Sequence, residues 1–175
     1  MDPIPMPVLD SKTAYNFLRM RRSIRNFTPE LVSEDKMRQL LDIARYAPTA
    51  ANSQGLYYIV VSDQELIRKI CDCVADWMQE EIDNDSPRRR YFRKVLEVYR
   101  GRGVDIIGRN AKQLVFALAR RLNVTGVSNC EQAWAYVELY APTLAWEPPL
   151  WALLKPVPGQ TMPRCGNCSR FPRNR

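Results

Sequence analysis

The sequence predicts a single mixed domain of helices and strands, either α+β or α/β. Its 175 residues suit one domain with a sizeable core, and 46% hydrophobic with 26% charged residues is an ordinary globular mixture. Apolar residues repeat with helical spacing in several segments, and two continuous apolar runs between them have the composition of strands. The predicted order is helix, helix, strand, helix, polar stretch, strand, helix, without an internal repeat.

The N-terminal part begins with two predicted helices. Residues 12–20 form the first. Ser33 is the predicted N-cap of the second, because its hydroxyl can accept a hydrogen bond from an amide of the first turn. Pro48 ends the segment. The apolar faces comprise Ala14, Phe17 and Leu18 in the first helix and Met37, Leu40, Leu41 and Ala44 in the second.

Residues 56–61 and 113–119 are the two predicted strands. The second run is continuously apolar, so we expect it at a central position in a sheet. Residues 80–94 are expected to be a polar excursion of mixed charge.

A helix follows each strand, and each is expected to start at a capping box. Ser62 and Glu65 form the first box, and Ser128 and Glu131 form the second, whose helix runs to about Leu144. The predicted buried faces are Ile67, Ile70, Cys71, Val74 and Met78 in the first helix and Ala133, Trp134, Val137, Tyr140 and Ala141 in the second.

Charge and composition limit the function classes. The chain has no histidine, which excludes imidazole bases and imidazole metal ligands. Its net charge of +7 raises a nucleic-acid hypothesis, best supported by the basic and aromatic run 87–94. The alternative, which we favour, is that this run is an ordinary solvated face following the acidic residues 80–85.

Neither a membrane segment nor a metal site is expected. Residues 1–5 lack the features of a signal peptide, and no apolar run approaches the roughly 18 residues that span a bilayer. The predicted location is therefore the cytoplasm. Cys165 and Cys168 form one CxxC pair, whereas a structural zinc site takes about four ligands.

Two polar segments carry the candidate chemistry. The first, residues 21–25, combines three arginines with Ser23, and guanidinium groups match phosphate oxygens in pairs. The second, residues 48–54, precedes the first strand, where Asn52 and Gln54 offer amide donors and acceptors that suit the edge of a planar heterocycle. Taken singly, each segment is equally well explained as a surface turn.

Taken in order, the segments resemble the nitroreductase family of FMN-dependent oxidoreductases. The resemblance rests on Arg-Arg-Ser-Ile-Arg-Asn-Phe at 21–27, and on Ala-Pro-Thr-Ala-Ala-Asn-Ser-Gln at 47–54, which enters a strand. It continues in residues 103–111 and 138–144, and so covers about residues 12–144, with Lys112 where the family usually has proline.

The resemblance implies an α+β nitroreductase-like fold, with helices around a central, mostly antiparallel sheet that is incomplete at the C-terminus. It also implies an intertwined homodimer with FMN at the subunit interface. In a ping-pong mechanism, NAD(P)H would reduce the flavin and leave, and a nitroaromatic, quinone or other electron-poor acceptor would then be reduced. This chemistry needs no catalytic side chain, so the absence of histidine is no obstacle.

The family motifs imply two sets of FMN contacts. The phosphate, the ribityl chain and the pyrimidine side of the ring would be held by Arg21, Arg22, Ser23 and Arg25. Arg25 would stabilise the negative charge of the reduced ring at its N1–C2=O edge. The ring would be lined by Pro48, Thr49, Ala50 and Asn52, with Gln54 nearby.

The last 31 residues depart from the family, so we divide the chain into an FMN-binding domain, 1–144, and an atypical tail, 145–175. The tail carries six of the 13 prolines and +4 of the +7 net charge. Where the family reads Gly-Leu-Gly-Thr, the chain has a Trp- and Pro-rich stretch at 145–152. Codons can be chosen for the family's Gly-Leu-Gly-Thr turn and its neighbours such that deleting a single base makes them encode residues 144–152. A frameshift is therefore one explanation of the tail, and true divergence is the other.

Two rivals to the enzyme remain open. One is a flavin-binding or structural remnant without turnover, and the other is a nucleic-acid-binding protein that uses residues 87–102 and the basic tail.

Overall fold

A computed structural model describes residues 9–120 and 122–144, so the tail 145–175 with its CxxC pair lies outside the described residues. The predicted order of helices and strands is confirmed except for the stretch 80–94, which contains part of a further helix, and the class is α+β. The helices and strands are α1 (Ser11–Arg19), α2 (Glu34–Asp42), β1 (Leu56–Val61), α3 (Gln64–Asp83), α4 (Arg89–Leu96), β2 (Leu114–Ala119) and α5 (Gly126–Leu144). Among the described residues, no helix is both long enough and apolar enough to cross a bilayer.

The sheet consists of β1 and β2, which are hydrogen-bonded neighbours. Gln113, just before β2, donates to the hydroxyl of Ser62, just after β1, at 3.2 Å. Arg120, just after β2, donates to the hydroxyl of Tyr57 near the start of β1 at 3.4 Å. The two strands are therefore antiparallel. The central position expected for β2 is not found in the described part of the chain, where β1 is its one neighbour.

The described residues divide into two compact units. The first comprises residues 9–25, 32–58, 117–120 and 122–144, and the second comprises residues 26–31 and 59–116.

In the first unit, α5 packs against α2 and against the 3₁₀ turn Ile43–Tyr46 that follows α2. The ring of Trp134 on α5 meets the ring of Tyr58 edge to face, with 6.0 Å between centroids. The buried apolar side chains agree with the predicted faces, although Leu41 and Tyr140 are half-buried. They are Met37, Leu40, Ala44, Ala47, Cys130, Ala133, Trp134, Val137 and Ala141.

The first two helices start at polar caps. Asp10 caps α1, accepting from two amides of the first turn at 3.0 Å each. Ser33 caps α2 as predicted, through a 3.4 Å bond from the amide of Lys36. No residue of α1 is fully buried, and Leu18 is 58% exposed.

Both predicted capping boxes are wrong. Asp63, not Ser62, caps α3, because its carboxylate accepts from the amides of Glu65 and Leu66 at 2.9 and 3.2 Å. The helix α5 starts at Gly126, two residues before Ser128, because the chain already turns at Asn123, whose carbonyl accepts from the amide of Gly126 at 2.9 Å.

The expected polar excursion at 80–94 is mostly helical. The helix α3 continues to Asp83, and α4 covers Arg89–Leu96, followed by a π-turn, Glu97–Gly101. The helix forms because α4 is amphipathic: Phe92 is buried, and its ring meets Trp77 of α3 at 5.4 Å. Apolar residues at helical spacing within the charged run thus pack α4 on α3.

The core of the second unit is built around α3 and the two strands. The turn that precedes β2 is organised by Asp105, whose carboxylate accepts from the amides of Gly108 and Asn110 at 2.7 and 2.8 Å. A side chain at Gly108 would lie 2.8 Å from the sulfur of Cys71, so this close approach requires glycine. The buried cluster is Val61, Ile67, Ile70, Cys71, Ala111 and Leu114.

Candidate functional site

The basic segment, residues 21–25, follows α1 in the first unit and is exposed along its length. The guanidinium of Arg21 lies 4.0 Å from the carboxylate of Glu138 on α5. That of Arg22 donates to the carbonyls of Arg19 and Arg21 at 2.7 and 3.0 Å. That of Arg25 donates to the carbonyl of Ser23 at 3.4 Å. Within the described residues, no carboxylate pairs with Arg22 or Arg25, so this surface carries uncompensated positive charge.

The amide loop, residues 48–54, lies in the same unit and contains a short 3₁₀ turn, Ala50–Asn52. Its backbone is left-handed at three non-glycine residues: Ala51 (φ 52°), Asn52 (φ 50°) and Gln54 (φ 44°). Such residues are uncommon and cluster at functional sites. Thr49 closes the loop, since its hydroxyl accepts from the amide of Gln54 at 3.0 Å.

The side chains of Asn52 and Gln54 hydrogen-bond to each other. The side-chain amide of Gln54 donates to the Oδ1 atom of Asn52 at 3.3 Å and to the carbonyl of Arg45 at 3.4 Å. The side-chain amide of Asn52 and the Oε1 atom of Gln54 make no hydrogen bond within the described residues, and both side chains are exposed. One donor and one acceptor thus face solvent together, as a heterocycle edge requires.

The helix α5 contacts both segments at separate points. Glu138 lies beside Arg21, whereas Asn129 accepts a hydrogen bond from the amide of Ala50 at 3.2 Å. These two helix residues are nine apart, which is two and a half turns and about 13 Å along the axis. Because nine residues are a half-integral number of turns, the side chains of Asn129 and Glu138 project from opposite sides of α5. The structure places the basic segment and the amide loop on opposite sides of this helix rather than side by side.

Comparison with known proteins gives the family. Residues 18–145 match the family model described as "Nitroreductase family". The chain belongs to the nitroreductase family. Nitroreductase NfnB of Mycolicibacterium smegmatis is 31% identical over 93 residues, which are 52% of this chain and 40% of that protein. The match thus spans less than half of the length of that relative.

Solved structures similar to this nitroreductase-family chain share its fold. A BluB-like flavoprotein from Clostridium difficile 630 has a TM-score of 0.60 at 18% identity, with 75% of this chain and 70% of that chain covered. An FMN-dependent nitroreductase from Clostridium difficile R20291 has a TM-score of 0.55 at 22% identity, with 78% and 58% covered. The predicted family and the nitroreductase-like fold are confirmed.

Asn129 and Glu138 were missed by the sequence reasoning. Asn129 is 2% exposed and lies 79 residues from Ala50 along the chain. A weak signal was present, because asparagine is a poor helix former and this one interrupts the apolar face of α5 in its first turn. Glu138 begins the stretch 138–144 that resembles the family, but an acidic residue in a helix is ordinary, and no role was assigned to it.

Two titratable groups, the Tyr58 hydroxyl and the Cys130 thiol, are partly or fully buried at α5. Burial raises the pKa of Tyr58 to about 12, with a smaller contribution from Cys130. Burial also raises the pKa of the Cys130 thiol, and Glu131 adds to that effect. Both groups therefore remain protonated at pH 7.

The second unit contains a separate groove of about 520 Å³, which includes none of the predicted site residues. At its wall, the hydroxyl of Tyr99 donates to Asp72 at 2.8 Å, and the two lie near Cys71 and Asp105. Within the described residues, no group of three or more His, Cys, Asp or Glu side chains is arranged to bind a metal.

Proposed function

We propose that the chain is an FMN-dependent oxidoreductase that transfers electrons from NAD(P)H to nitroaromatic, quinone or related electron-poor acceptors by a ping-pong mechanism. Residues 1–144 would form the FMN-binding domain, and 145–175 an atypical tail. The observation that carries the proposal is the exposed basic segment with Arg22 and Arg25, which no described carboxylate neutralises. The family membership and the flavoprotein descriptions of the structural relatives support it.

The basic segment suits the FMN phosphate. The guanidiniums of Arg22 and Arg25 bond to backbone carbonyls at one nitrogen, which holds each group in place and leaves further N–H donors for an anion. Ser23 would add a neutral hydroxyl donor. Arg21 would contribute less charge, because Glu138 lies 4.0 Å away.

The amide loop suits the flavin ring. Asn52 presents a donor and Gln54 an acceptor, and Pro48, Thr49 and Ala50 would supply backbone and apolar surface against the ring. FMN, when bound, would accept a hydride from NAD(P)H and pass electrons on, so no acid or base is required of these side chains.

The positions of the two segments support a homodimeric site. Because they contact opposite sides of α5, one protomer would offer its basic segment to one FMN and its amide loop to the other. The helix α1, with Tyr15 61% exposed and Leu18 58% exposed, offers apolar surface for a second copy.

A comparison of FMN with riboflavin tests the phosphate site. The double variant Arg22→Gln, Arg25→Gln should bind FMN more weakly, by about 10- to 100-fold for each lost charge-assisted bond. Riboflavin affinity should hardly change, because riboflavin lacks the phosphate. The matched control is the double variant Arg88→Gln, Arg90→Gln. It removes two exposed charges, one just before α4 and one in its first turn, and it should leave FMN binding intact. Equal losses for both ligands would contradict the phosphate role.

Mixed dimers test the shared site. A chain with Arg22→Gln, Arg25→Gln and a chain with Asn52→Ala should each bind FMN poorly alone. In a heterodimer of these two chains, one site would carry both substitutions and the other would carry neither. Flavin absorbance should therefore correspond to one bound FMN for each dimer. No recovery in the mixed dimer would place both segments in one protomer's site.

Spectra separate the enzyme from its rivals. Bleaching of the flavin bands by NAD(P)H, and their return on adding a quinone or nitroaromatic, would support the enzyme. A yellow protein that NAD(P)H does not bleach would support the flavin-binding remnant. A colourless protein that ignores added FMN, but binds DNA or RNA through Arg88 and Arg90, would support the nucleic-acid alternative. Independent genomic reads across the codons for 144–152 decide between frameshift and divergence.

A further inference from the structure

We propose that Asn129 is a positioning residue that holds the amide loop, residues 48–54, in its strained conformation from inside α5. The proposal rests on the proposed function for what the loop does, but its geometry stands independently of any ligand. Asn129 is in the first turn of α5 and is 2% exposed, so its side chain is sealed from water. Polar groups at such depth need partners within the protein.

Asn129 meets the loop at two points. Its Oδ1 atom accepts from the amide of Ala50 at 3.2 Å, and its Nδ2 atom donates to the hydroxyl of Ser53 at 3.5 Å. A third bond, from Nδ2 to the hydroxyl of Thr125 at 3.3 Å, ties the amide group to the preceding turn. Because an amide N–H of the loop can pair only with an acceptor, the orientation of the Asn129 side chain is determined.

The two contacts flank two of the three left-handed residues of the loop, and Gln54 follows directly after Ser53. Ala51 and Asn52, both left-handed, lie between Ala50 and Ser53. Non-glycine residues adopt this conformation at a cost and keep it only where the surroundings hold them there. The loop has internal bonds of its own, from the amide of Asn52 to the carbonyl of Thr49 at 2.9 Å and from the amide of Ser53 to the carbonyl of Ala50 at 3.1 Å. Asn129 connects this local turn to the rigid helix.

The consequence concerns Asn52. Its backbone is left-handed, and its exposed side chain lies beside that of Gln54 in this conformation. If Ala50 and Ser53 are released, the turn can relax, and the Asn52 donor is no longer presented in one place. Asn129 would therefore act on the flavin ring through the loop, without touching the ring.

Hydrogen exchange of the flavin-free protein tests the positioning role directly. Asn129→Leu keeps the side-chain size but removes the acceptor of the Ala50 amide, so amides of residues 50–54 should exchange about tenfold faster or more. Asn129→Asp should restore protection, because a carboxylate oxygen accepts from the amide of Ala50 and the Ser53 hydroxyl can turn to donate to the other oxygen, while the Thr125 hydroxyl keeps donating to Asn123 at 2.8 Å. The matched control is Tyr140→Phe, at another position of α5. It removes the 2.9 Å hydrogen bond that Gln39 of α2 donates to the Tyr140 hydroxyl, and it should leave the loop amides protected.

Flavin binding supplies the second readout. FMN and riboflavin should both bind Asn129→Leu about 10- to 100-fold more weakly, because the loop would contact the flavin ring, which both ligands have, rather than the phosphate. Asn129→Asp should recover most of the lost affinity. This pattern differs from that of the arginine variants, which lose FMN alone. If Asn129→Leu does not fold, Ser53→Ala, at an exposed residue, should loosen the same amides to a smaller extent.

The outcomes separate the two proposals. Unchanged exchange of residues 50–54 in both Asn129→Leu and Ser53→Ala would overturn the positioning role, and so would equal loosening in Tyr140→Phe. If the wild-type protein binds no flavin at all, the proposed function fails, yet the exchange comparison still decides whether Asn129 holds the loop.

Discussion

Gly126→Ala places a methyl group where the start of α5 approaches the end of β2. A Cβ atom at Gly126 would lie 2.6 Å from the Cβ of Ala119, whereas carbon atoms in good contact are about 3.5–4.0 Å apart. Two effects oppose each other. Alanine in place of glycine stabilises a helix interior by up to about 1 kcal/mol, and less at a first helical residue. Overpacking costs about 1–3 kcal/mol. Because Ala119 offers only its own Cβ, with no flexible end to move, we expect overpacking to win by about 1–2 kcal/mol.

Urea denaturation followed by circular dichroism measures this change in the free energy of unfolding. The double variant Gly126→Ala, Ala119→Gly removes the clash, so it should be more stable than the sum of the single effects predicts, by about 1–3 kcal/mol. Gly101→Ala is the matched control, since nothing lies within 4 Å of the added methyl group, and it should be neutral or slightly stabilising. A Gly126→Ala protein as stable as the parent would refute the reasoning.

Two further predictions concern the second unit. Phe92→Ala should lower the free energy of unfolding by about 3–5 kcal/mol, because the ring is 4% exposed and packs on Trp77, whereas Tyr91→Ala, at a residue 61% exposed, should change it by less than about 1 kcal/mol. Chemical denaturation measures both, and equal losses would contradict the burial of α4. Burial, aided by the carboxylates of Asp105 and Asp72, raises the pKa of the Cys71 thiol from 9.0 to about 12. As the pH rises, the unfolded chain therefore loses this proton before the folded chain does. The free energy of unfolding should fall between pH 9 and pH 12. Urea midpoints across that range should show a shallower fall in Cys71→Ala; an identical slope would exclude the thiol as a cause.

Local sequence patterns were sufficient for most of the helices and strands. Ser33, the helical spacing of the apolar residues in α2 and α5, and the apolar run of β2 each act within a few residues, and the structure agrees with them. The capping errors have a different origin. Ser62 and Asp63 are both good caps, so local preference does not choose between them, and the folded chain uses Asp63. The start of α5 depends in the same way on the turn at Asn123.

The helical character of 80–94 shows why charge alone misled the prediction. Phe92, Val95 and Leu96 form one buried face of α4, and their burial against α3 stabilises a helix in a segment whose exposed residues are mostly charged. The run that suggested nucleic-acid binding thus includes the solvent side of an amphipathic helix. Arg89, for example, pairs with Asp85 at 3.0 Å.

For the candidate site, the chain order of its residue types was enough to identify the basic segment, the amide loop and the family. Only tertiary structure showed that Asn129 reaches the loop from 79 and 76 residues away, and that the two segments lie on opposite sides of α5. The physical reason is the range of the interactions. Helix periodicity, caps and motif composition are set by neighbours along the chain. The partner of a buried amide is instead set by which distant segments pack together, and no local pattern contains that information.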